Sequence, residues 1–434
     1  MTAYWCELAW LGGDEPEPSV LIELDGDRIE SITSGTAAPG AVRLEGLTIP
    51  GLVNAHSHAF HRALRGRTEE GRGSFWTWRD QMYAVAARLD PNSYLALARA
   101  VYAEMALTGI TTVGEFHYLH DGASTMGDAL LLAARRAGIG ITLLDACYLH
   151  GGIGEGRTGV QRRFGDQDVH AWVRRVSARA LDKHHARLGA AIHSIRAVTP
   201  EEAATVAAWA KQNEVVLHAH VSEQPAENEA SEAAYDRTPT AVLVEAGAVT
   251  ERFCAVHATH VSKADRALLG SARSFVCMCP TTERDLGDGI GPAAGLTAAG
   301  ARLCVGSDSH AVIDLFEEAR GVELDERLRS GERGHHSARA LLRAATVEGA
   351  AALGWNDAGF LAPGARADLT TIRLGSARLA GTRPADAIAA VVFAATAADV
   401  SHVVAGGRPI VSDGRHLLVD DVPGALAGAI AAVT

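Results

Sequence analysis

The sequence of 434 residues has little positive charge, and only three of its 40 basic residues are lysines. Its 52 acidic residues give a formal net charge of −12. Proteins that bind nucleic acid neutralise phosphates with a basic surface, so this balance predicts no nucleic-acid partner. The hydrophobic and charged fractions, 47% and 21%, are ordinary for a globular protein.

Cysteine is also scarce, and the apolar runs are short. The six cysteines do not pair by spacing, and Cys277 and Cys279 are too close together for a zinc ribbon, so we expect reduced thiols. The amino terminus has neither a basic segment nor a long apolar one, which argues against a signal peptide. The longest nearly apolar run, 387–398, is too short to cross a bilayer and indicates a buried helix. We therefore predict a soluble, cytoplasmic protein with no membrane partner.

Both ends of the chain show short strand patterns with tight turns. An Asp-Gly-Asp turn at 25–27 and a Gly-Gly pair at 406–407 each separate two apolar runs, which is a hairpin signal. Neither end alone has enough residues for a stable sheet. We predict that residues 1–48 and 363–434 form the two parts of one small β-sandwich domain, beside a catalytic domain of residues 49–362.

The middle of the chain alternates short apolar runs with helical patterns. Helix signals include a capping box at 199–202 and the pair Asp90-Pro91. Eight units over about 300 residues predict an α/β fold, a (β/α)₈ barrel. A doubly wound open sheet is the alternative, disfavoured because no glycine-rich phosphate loop follows the first strand. These runs are apolar rather than alternating, as expected for parallel strands that are covered on both faces. The eight predicted strands are 48–53, 111–115, 139–144, 188–192, 215–217, 253–256, 275–278 and 302–306.

Histidine and aspartate residues follow four of the predicted strands. The carboxyl ends of barrel strands meet at one face, and alternate residues of a strand point the same way. Imidazoles and carboxylates are metal ligands. One such position could be an ordinary polar residue that ends a buried strand, but four together predict a metal site. The residues are His56 and His58 after the first strand, His218 and His220 after the fifth, His257 after the sixth and Asp308 after the eighth.

This pattern resembles the amidohydrolase superfamily over nearly the whole chain. Members with two metal ions usually bridge them with a carboxylated lysine or a carboxylate on strand four, whereas strand four is followed here by His193-Ser194-Ile195-Arg196. The resemblance therefore implies a single divalent ion. Three imidazoles and a carboxylate suit Zn²⁺, and Fe²⁺ is chemically close. The implied ligands are His56, His58, His220 and Asp308.

The choice between His218 and His220 also rests on the resemblance. Both side chains point the same way from the strand. In the mononuclear deaminases that this chain resembles, the ligand stands three residues before the catalytic glutamate, which here is Glu223. His220 is then the ligand, and His218 has a structural role.

Six blocks of sequence resemble the formimidoylglutamate deiminases within this superfamily. The resemblance implies hydrolysis of N-formimino-L-glutamate to N-formyl-L-glutamate and ammonia, a step of histidine breakdown. Relatives in the superfamily are commonly dimers, so a homodimer is expected. The blocks are 56–64, 74–79, 115–118, 193–198, 256–260 and 279–283.

The implied chemistry gives three residues catalytic roles. A zinc ion lowers the pKa of water to about 7, which supplies hydroxide at neutral pH. Asp308 can accept the proton of the water. Glu223 can carry a proton to the departing nitrogen as general acid and base, and His257 can donate a hydrogen bond to the attacking oxygen.

The two carboxylates of the substrate need cationic partners in a protein of net charge −12. Arginine binds a carboxylate through two parallel hydrogen bonds. The resemblance assigns Arg79 and Arg196 to this role, with Tyr118, His193 and His61 as hydrogen-bonding neighbours. Most members of the family have glutamine at the position of His61, and a histidine there could add positive charge near neutral pH.

Two other functions stay open. Another mononuclear deaminase, acting on a purine, pyrimidine or guanidino compound, would have the same metal site, but Arg79 and Arg196 would not have two carboxylates to bind. A non-catalytic scaffold built on a decayed barrel typically lacks metal ligands, whereas all the implied ligands are present here.

Overall fold

The computed structural model describes residues 2–68, 75–120 and 124–434, so Ser74, the first residue of one resembling block, lies outside the described residues. The strands, in chain order, are β1 (Thr2–Ala9), β2 (Glu17–Asp25), β3 (Arg28–Thr33), β4 (Val42–Pro50), β5 (Leu52–Ser57), β6 (Ile110–His117), β7 (Gly140–Cys147), β8 (Ala186–Ile192), β9 (Leu217–Val221), β10 (Phe253–His257), β11 (Phe275–Met278), β12 (Arg302–Val305), β13 (Leu369–Ile372), β14 (Val400–Ala405), β15 (Arg408–Ser412) and β16 (Arg415–His416). The helices are α1 (Phe75–Arg88), α2 (Pro91–Leu107), α3 (Thr125–Ala137), α4 (Val169–Ser177), α5 (Pro200–Gln212), α6 (Pro225–Tyr235), α7 (Pro239–Glu245), α8 (Lys263–Ser271), α9 (Pro280–Asp285), α10 (Ala293–Ala298), α11 (Leu315–Ser330), α12 (Ala338–Ala344), α13 (Val347–Ala352), α14 (Ala387–Ala394) and α15 (Val422–Ala431).

Strands β5 to β12 form a barrel in chain order, and each is parallel to the next. Two backbone hydrogen bonds join β5 to the segment after β12. The N–H of Asp308 donates to the carbonyl of His56 (3.0 Å), and the N–H of His58 donates to the carbonyl of Asp308 (3.2 Å). The predicted (β/α)₈ barrel is confirmed, and its closure brings the residues after the first and eighth strands into contact.

Five of the eight predicted barrel strands differ from the observed bounds by at most three residues at either end, one matches them, and two are displaced along the chain. The run 48–53 is divided between β4, which ends at Pro50, and β5, which begins at Leu52. Strand β9 begins only at the last residue of the predicted run 215–217 and continues beyond it. Both predicted runs ended before the next polar residue, Asn54 and His218. The last polar residues of a barrel strand, however, face the active end of the barrel and still belong to the strand.

The chain ends form a second sheet with the strand order β16-β15-β14-β13-β4-β1-β2-β3. Strand β4 of the amino-terminal part pairs antiparallel with β13 of the carboxyl-terminal part, so the two ends combine as predicted. Hydrogen bonds join all eight strands into one continuous mixed sheet, in which β4 and β13 meet edge to edge. Gly26, Gly406 and Gly407 have the left-handed backbone (φ of 58°, 55° and 73°) that tight hairpin turns require.

The predicted helix starts are confirmed. Asp90 caps α2 by accepting hydrogen bonds from two N–H groups of the first turn, and Thr199 caps α5 through the N–H of Glu202 (3.2 Å). The run 387–398 contains α14, which packs on α11 and α12 of the barrel. Because α14 and α15 both pack on barrel helices, the division at 48/49 and 362/363 stays a proposal. Within the described ranges, no helix has the length and apolar character needed to cross a membrane.

Candidate metal centre and substrate cavity

Four side chains with metal-binding atoms converge at the carboxyl end of the barrel. Nε2 of His56 and Nε2 of His58 lie 3.3 and 3.4 Å from Oδ1 of Asp308. Nε2 of His220, from β9, lies 3.2 Å from Nε2 of His56. All four ligand atoms lie within 4.8 Å of one another, and all four residues are buried. The structure thus brings the four implied ligands together in one cluster.

Backbone carbonyls hold two of these imidazoles in the orientation that a metal ion requires. Nδ1 of His58 donates to the carbonyl of Phe116 (2.9 Å), and Nδ1 of His220 donates to the carbonyl of His193 (2.8 Å). A carbonyl can only accept, so the ring proton is on Nδ1 and the lone pair is on Nε2, at the centre of the cluster. A divalent cation fits these converging lone pairs and the nearby carboxylate.

Burial determines the charge of the cluster. Desolvation lowers the pKa of His56 and brings the pKa of His58 and His220 well below the usual value, so these imidazoles are neutral. Burial alone would raise the pKa of Asp308, but the hydrogen bond to His56 and the surrounding imidazoles bring it well below its usual value. Three neutral imidazoles and one carboxylate are a donor set that suits Zn²⁺.

His218, the other histidine of β9, lies outside this cluster. It is fully buried, and its Nε2 donates to the carbonyl of Ala352 (2.8 Å). Its ring nitrogen therefore holds the end of α13 against the barrel strands. The structure brings His220, and not His218, to the ligand atoms of the cluster.

Unusual backbone conformations are concentrated at this end of the barrel. Ten described residues other than glycine have a positive φ, and half of them lie at or just after the ends of β9, β10 and β12. Such conformations cost about 1–3 kcal/mol each and persist at functional sites, where the surrounding structure holds a side chain in a required direction. The five residues are Ser222 (51°), His257 (68°), Ala258 (50°), Asp308 (40°) and His310 (61°).

The ring of His257 lies between carboxylates. Its Nε2 is 3.8 Å from Oε1 of Glu223 and 3.7 Å from Oδ2 of Asp308. Its Nδ1 is 3.3 Å from Oε1 of Glu283. Burial alone would lower the pKa of His257, but these carboxylates raise it to about 10. The ring is therefore protonated on both nitrogens: Nδ1 donates a hydrogen bond to Glu283, and the N–H of Nε2 points into the space between Glu223 and Asp308 without a hydrogen bond to either.

Glu283 is a functional residue that the sequence analysis missed, although it noted the block 279–283. The side chain is buried, and Oε1 also accepts a hydrogen bond from the N–H of Cys279 (2.9 Å). Short helix α9 directs this carboxylate toward His257 on a neighbouring strand. In the sequence, Glu283 could be noticed only as an acidic residue in the block that follows the seventh predicted strand. Its partner His257 lies 26 residues earlier in the chain, so their contact could not be inferred.

A cavity of about 510 Å³ opens beside the cluster. Ten of the eleven predicted site residues line it, and the eleventh, His56, is fully buried beneath them. The ten are His58, His61, Arg79, Tyr118, His193, Arg196, His220, Glu223, His257 and Asp308.

Two arginines bring positive charge into the cavity. Arg196 follows β8, with Nη2 at 3.7 Å from Oε2 of Glu223 and Nε at 3.9 Å from Oε2 of Glu227. Arg79 comes from α1, and its guanidinium carbon lies 5.4 Å from the ring centre of Tyr83. The two predicted carboxylate partners therefore face the same cavity.

Glu227 was also missed by the sequence analysis. It is only 2% exposed, lies in the cavity wall beside Arg196, and has a pKa raised by burial. A glutamate in the first turn of a helix is ordinarily solvated, so nothing in the sequence marked this residue.

Three polar rings surround the metal-binding histidines. Nε2 of His61 lies 2.9 Å from the hydroxyl of Tyr118. The ring centre of His61 is 4.5 Å from that of His58, and the ring centre of His193 is 5.1 Å from that of His220. Burial lowers the pKa of His61 to about 3. The His61 ring is therefore uncharged near neutral pH and does not add the positive charge that a histidine could carry there.

Known proteins are similar to this chain in sequence and in fold. The profile of the amidohydrolase family matches residues 47–410. The chain is 39% identical over 420 residues to the formimidoylglutamate deiminase of Pseudomonas aeruginosa, with 92% of each chain covered. It is 27% identical over 408 residues to a 5-methylthioadenosine/S-adenosylhomocysteine deaminase of Halobacterium salinarum, with 93% of this chain and 90% of that protein covered. The crystal structure of an amidohydrolase from Brucella melitensis is similar with a TM-score of 0.92 and 33% identity, over 100% of both chains.

Proposed function

The chain belongs to the amidohydrolase family, and on that premise we propose that it hydrolyses N-formimino-L-glutamate to N-formyl-L-glutamate and ammonia. It would thus be a hydrolase of the C–N bond in a linear amidine. One observation carries the proposal: a metal-binding cluster and two arginines line a single cavity. Attack on a formimino carbon needs an activated water, and a dicarboxylate needs cationic partners. The Pseudomonas relative is named for this activity.

In this proposal a single divalent ion is held by His56, His58, His220 and Asp308. Zn²⁺ suits this donor set best, and Fe²⁺ is the close alternative. When bound, the ion supplies Lewis-acid chemistry that lowers the pKa of water toward about 7. The residue after β8 is His193 rather than a lysine or carboxylate, which supports one ion rather than two.

Three side chains of the protein handle the protons of the reaction. Asp308 accepts a proton from the water as its oxygen adds to the formimino carbon. Glu223, which faces the same nitrogen of His257 as Asp308 does, carries this proton to the imino nitrogen, which becomes an amino group. It then carries the remaining proton of the added oxygen to the same nitrogen, so that the carbonyl forms, the C–N bond breaks and ammonia leaves. His257, fixed by Glu283, donates a hydrogen bond to the oxygen that becomes negatively charged in the tetrahedral intermediate.

The remaining site residues bind the glutamate part of the substrate in this proposal. Arg79 and Arg196 provide guanidinium groups for its two carboxylates. His61, Tyr118 and His193 add neutral hydrogen-bonding groups next to the metal ligands. The low pKa of His61 means that it serves as glutamine does in the family, through hydrogen bonds and without charge.

We also propose that the protein is a cytoplasmic homodimer that acts in histidine breakdown. All six cysteines are buried and unpaired, which suits a reducing compartment. The dimer and the pathway follow from the family resemblance.

The direct test compares substrates on purified protein loaded with Zn²⁺, with ammonia release as the measurement. We expect ammonia from formiminoglutamate and none from 5-methylthioadenosine. Chelation should abolish the release, and added Zn²⁺ should restore it. Ammonia from the nucleoside alone would favour a different mononuclear deaminase. Protein that binds no metal and releases ammonia from neither compound would favour a non-catalytic scaffold.

A further inference from the structure

The aromatic side chains of the cavity lie in layers at increasing distance from the metal-binding cluster, as their ring contacts show. His193 and Tyr118 contact the metal-binding histidines directly. Tyr148 lies one step further out, with its ring centre 4.6 Å from that of His193 and 6.4 Å from that of Tyr118. Tyr83, on α1, lies beside Tyr148. The cavity therefore has a second layer of hydroxyl groups that the proposed reaction does not use.

Gln161 joins the two hydroxyls of this second layer. It is 6% exposed, and its Oε1 accepts a hydrogen bond from the N–H of Thr158 (3.0 Å), which directs Nε2 toward the tyrosines. Nε2 donates to the hydroxyl of Tyr83 (3.1 Å) and to that of Tyr148 (3.4 Å). Both hydroxyl oxygens accept from Gln161, and at most one of the two O–H groups can donate to the other hydroxyl. The pair therefore has at least one O–H donor left for a ligand.

The same two tyrosines lie near the two arginines of the cavity. The guanidinium carbon of Arg79 is 5.4 Å from the ring centre of Tyr83. Arg196 is close enough to Tyr83 and Tyr148 for an electrostatic interaction with each. Two guanidinium groups and a hydroxyl donor form a set that favours an anion with several oxygen atoms. A carboxylate is such an anion.

We propose that the Tyr83 and Tyr148 hydroxyls, held by Gln161, bind the substrate carboxylate that lies farther from the hydrolysed bond. This inference rests on the proposed function and extends it. In formiminoglutamate one carboxylate is attached next to the formimino nitrogen, and the other lies two methylene groups further along. With the formimino carbon at the metal cluster, the near carboxylate meets the first layer of rings, and the far one reaches the hydroxyl pair. The subsite therefore selects the length of a glutamate side chain.

The variants Tyr83→Phe and Tyr148→Phe remove one hydroxyl each and keep the packed rings. Their kinetics are measured with formiminoglutamate and with N-formiminonorvaline, which has a methyl group in place of the distal carboxylate. A hydrogen bond to a charged group is worth about tenfold or more in affinity. We expect each variant to raise KM for formiminoglutamate by about that factor with little change in kcat. With the norvaline compound, kcat/KM should change by less than about twofold.

Tyr235→Phe is the matched control, because Tyr235 ends α6 outside the cavity lining and should change neither substrate. Gln161→Leu keeps both hydroxyls but removes the group that orients them, so it should also raise KM for formiminoglutamate selectively. Metal content and the thermal midpoint of each variant are compared with those of the wild type. Equal losses with both substrates, or no loss with formiminoglutamate, would overturn the inference.

Calorimetry on the zinc-loaded protein tests the subsite without turnover. Glutarate should bind more tightly than butyrate, and each tyrosine variant should weaken glutarate by about tenfold while leaving butyrate unchanged. Wild-type protein that does not discriminate between the two anions would refute the subsite. Inactivity on formiminoglutamate with intact discrimination would instead refute the proposed function and leave the carboxylate subsite supported.

Discussion

Replacement of Arg196 by methionine removes a guanidinium from the cavity and keeps a side chain of similar length. That guanidinium lies 3.7 Å from Glu223 and 3.9 Å from Glu227. Truncation of one partner of a buried charge pair costs about 2–5 kcal/mol. The side chain of Arg196 is 24% exposed, so solvent screening favours the lower half of this range. A loss of about 2–3 kcal/mol corresponds to a fall of about 30- to 150-fold in kcat/KM for formiminoglutamate.

The assay is steady-state ammonia release, with the zinc content per chain matched between wild type and variant. Arg174→Met is the control, because Arg174 is exposed on α4 and does not line the cavity. Its kcat/KM should equal that of the wild type. An Arg196→Met variant within about threefold of the wild type would refute the assignment of a substrate carboxylate to Arg196.

Glu283→Gln removes the charge that fixes Nδ1 of His257, so kcat should fall about 10- to 100-fold with little change in KM; an unaltered kcat would mean that His257 needs no such partner. His61→Gln should keep kcat/KM within about threefold of the wild type across neutral pH, because the buried imidazole is already neutral; a large loss would show that its charge is used. Trp355→Ala should lower the free energy of unfolding by about 3–5 kcal/mol, seen as a lower urea midpoint. The indole is 1% exposed and donates to Thr142 (2.9 Å), so an unchanged midpoint would contradict its packing role.

The barrel and the metal-binding cluster could be predicted from the sequence because both depend on local patterns. Apolar runs mark the buried parallel strands, and the carboxyl ends of such strands meet at one face. His56, His220 and Asp308 could therefore be grouped although they are far apart in the chain. Their actual distances and the hydrogen bonds that orient them follow from the closure of the barrel.

Contacts between elements, and their effect on charge, could not be predicted. Glu283 contacts His257 only because α9 packs against the end of β10, and Glu227 is buried only because α6 lies against Arg196. The neutral state of His61 could not be predicted, since a sequence shows the residue type but not the burial that lowers its pKa. The strand bounds were wrong where polar active-site residues continue a strand.

The central claim is that this cavity hydrolyses the formimino group with Glu223 as the proton carrier. The measurement that tests it most directly is ammonia release from N-formimino-L-glutamate by zinc-loaded wild type and by Glu223→Gln at equal metal content. We predict ammonia and N-formylglutamate in equal amounts from the wild type and a fall of about 100-fold or more in the variant. No release from metal-loaded wild type, or an undiminished rate in Glu223→Gln, would contradict this account.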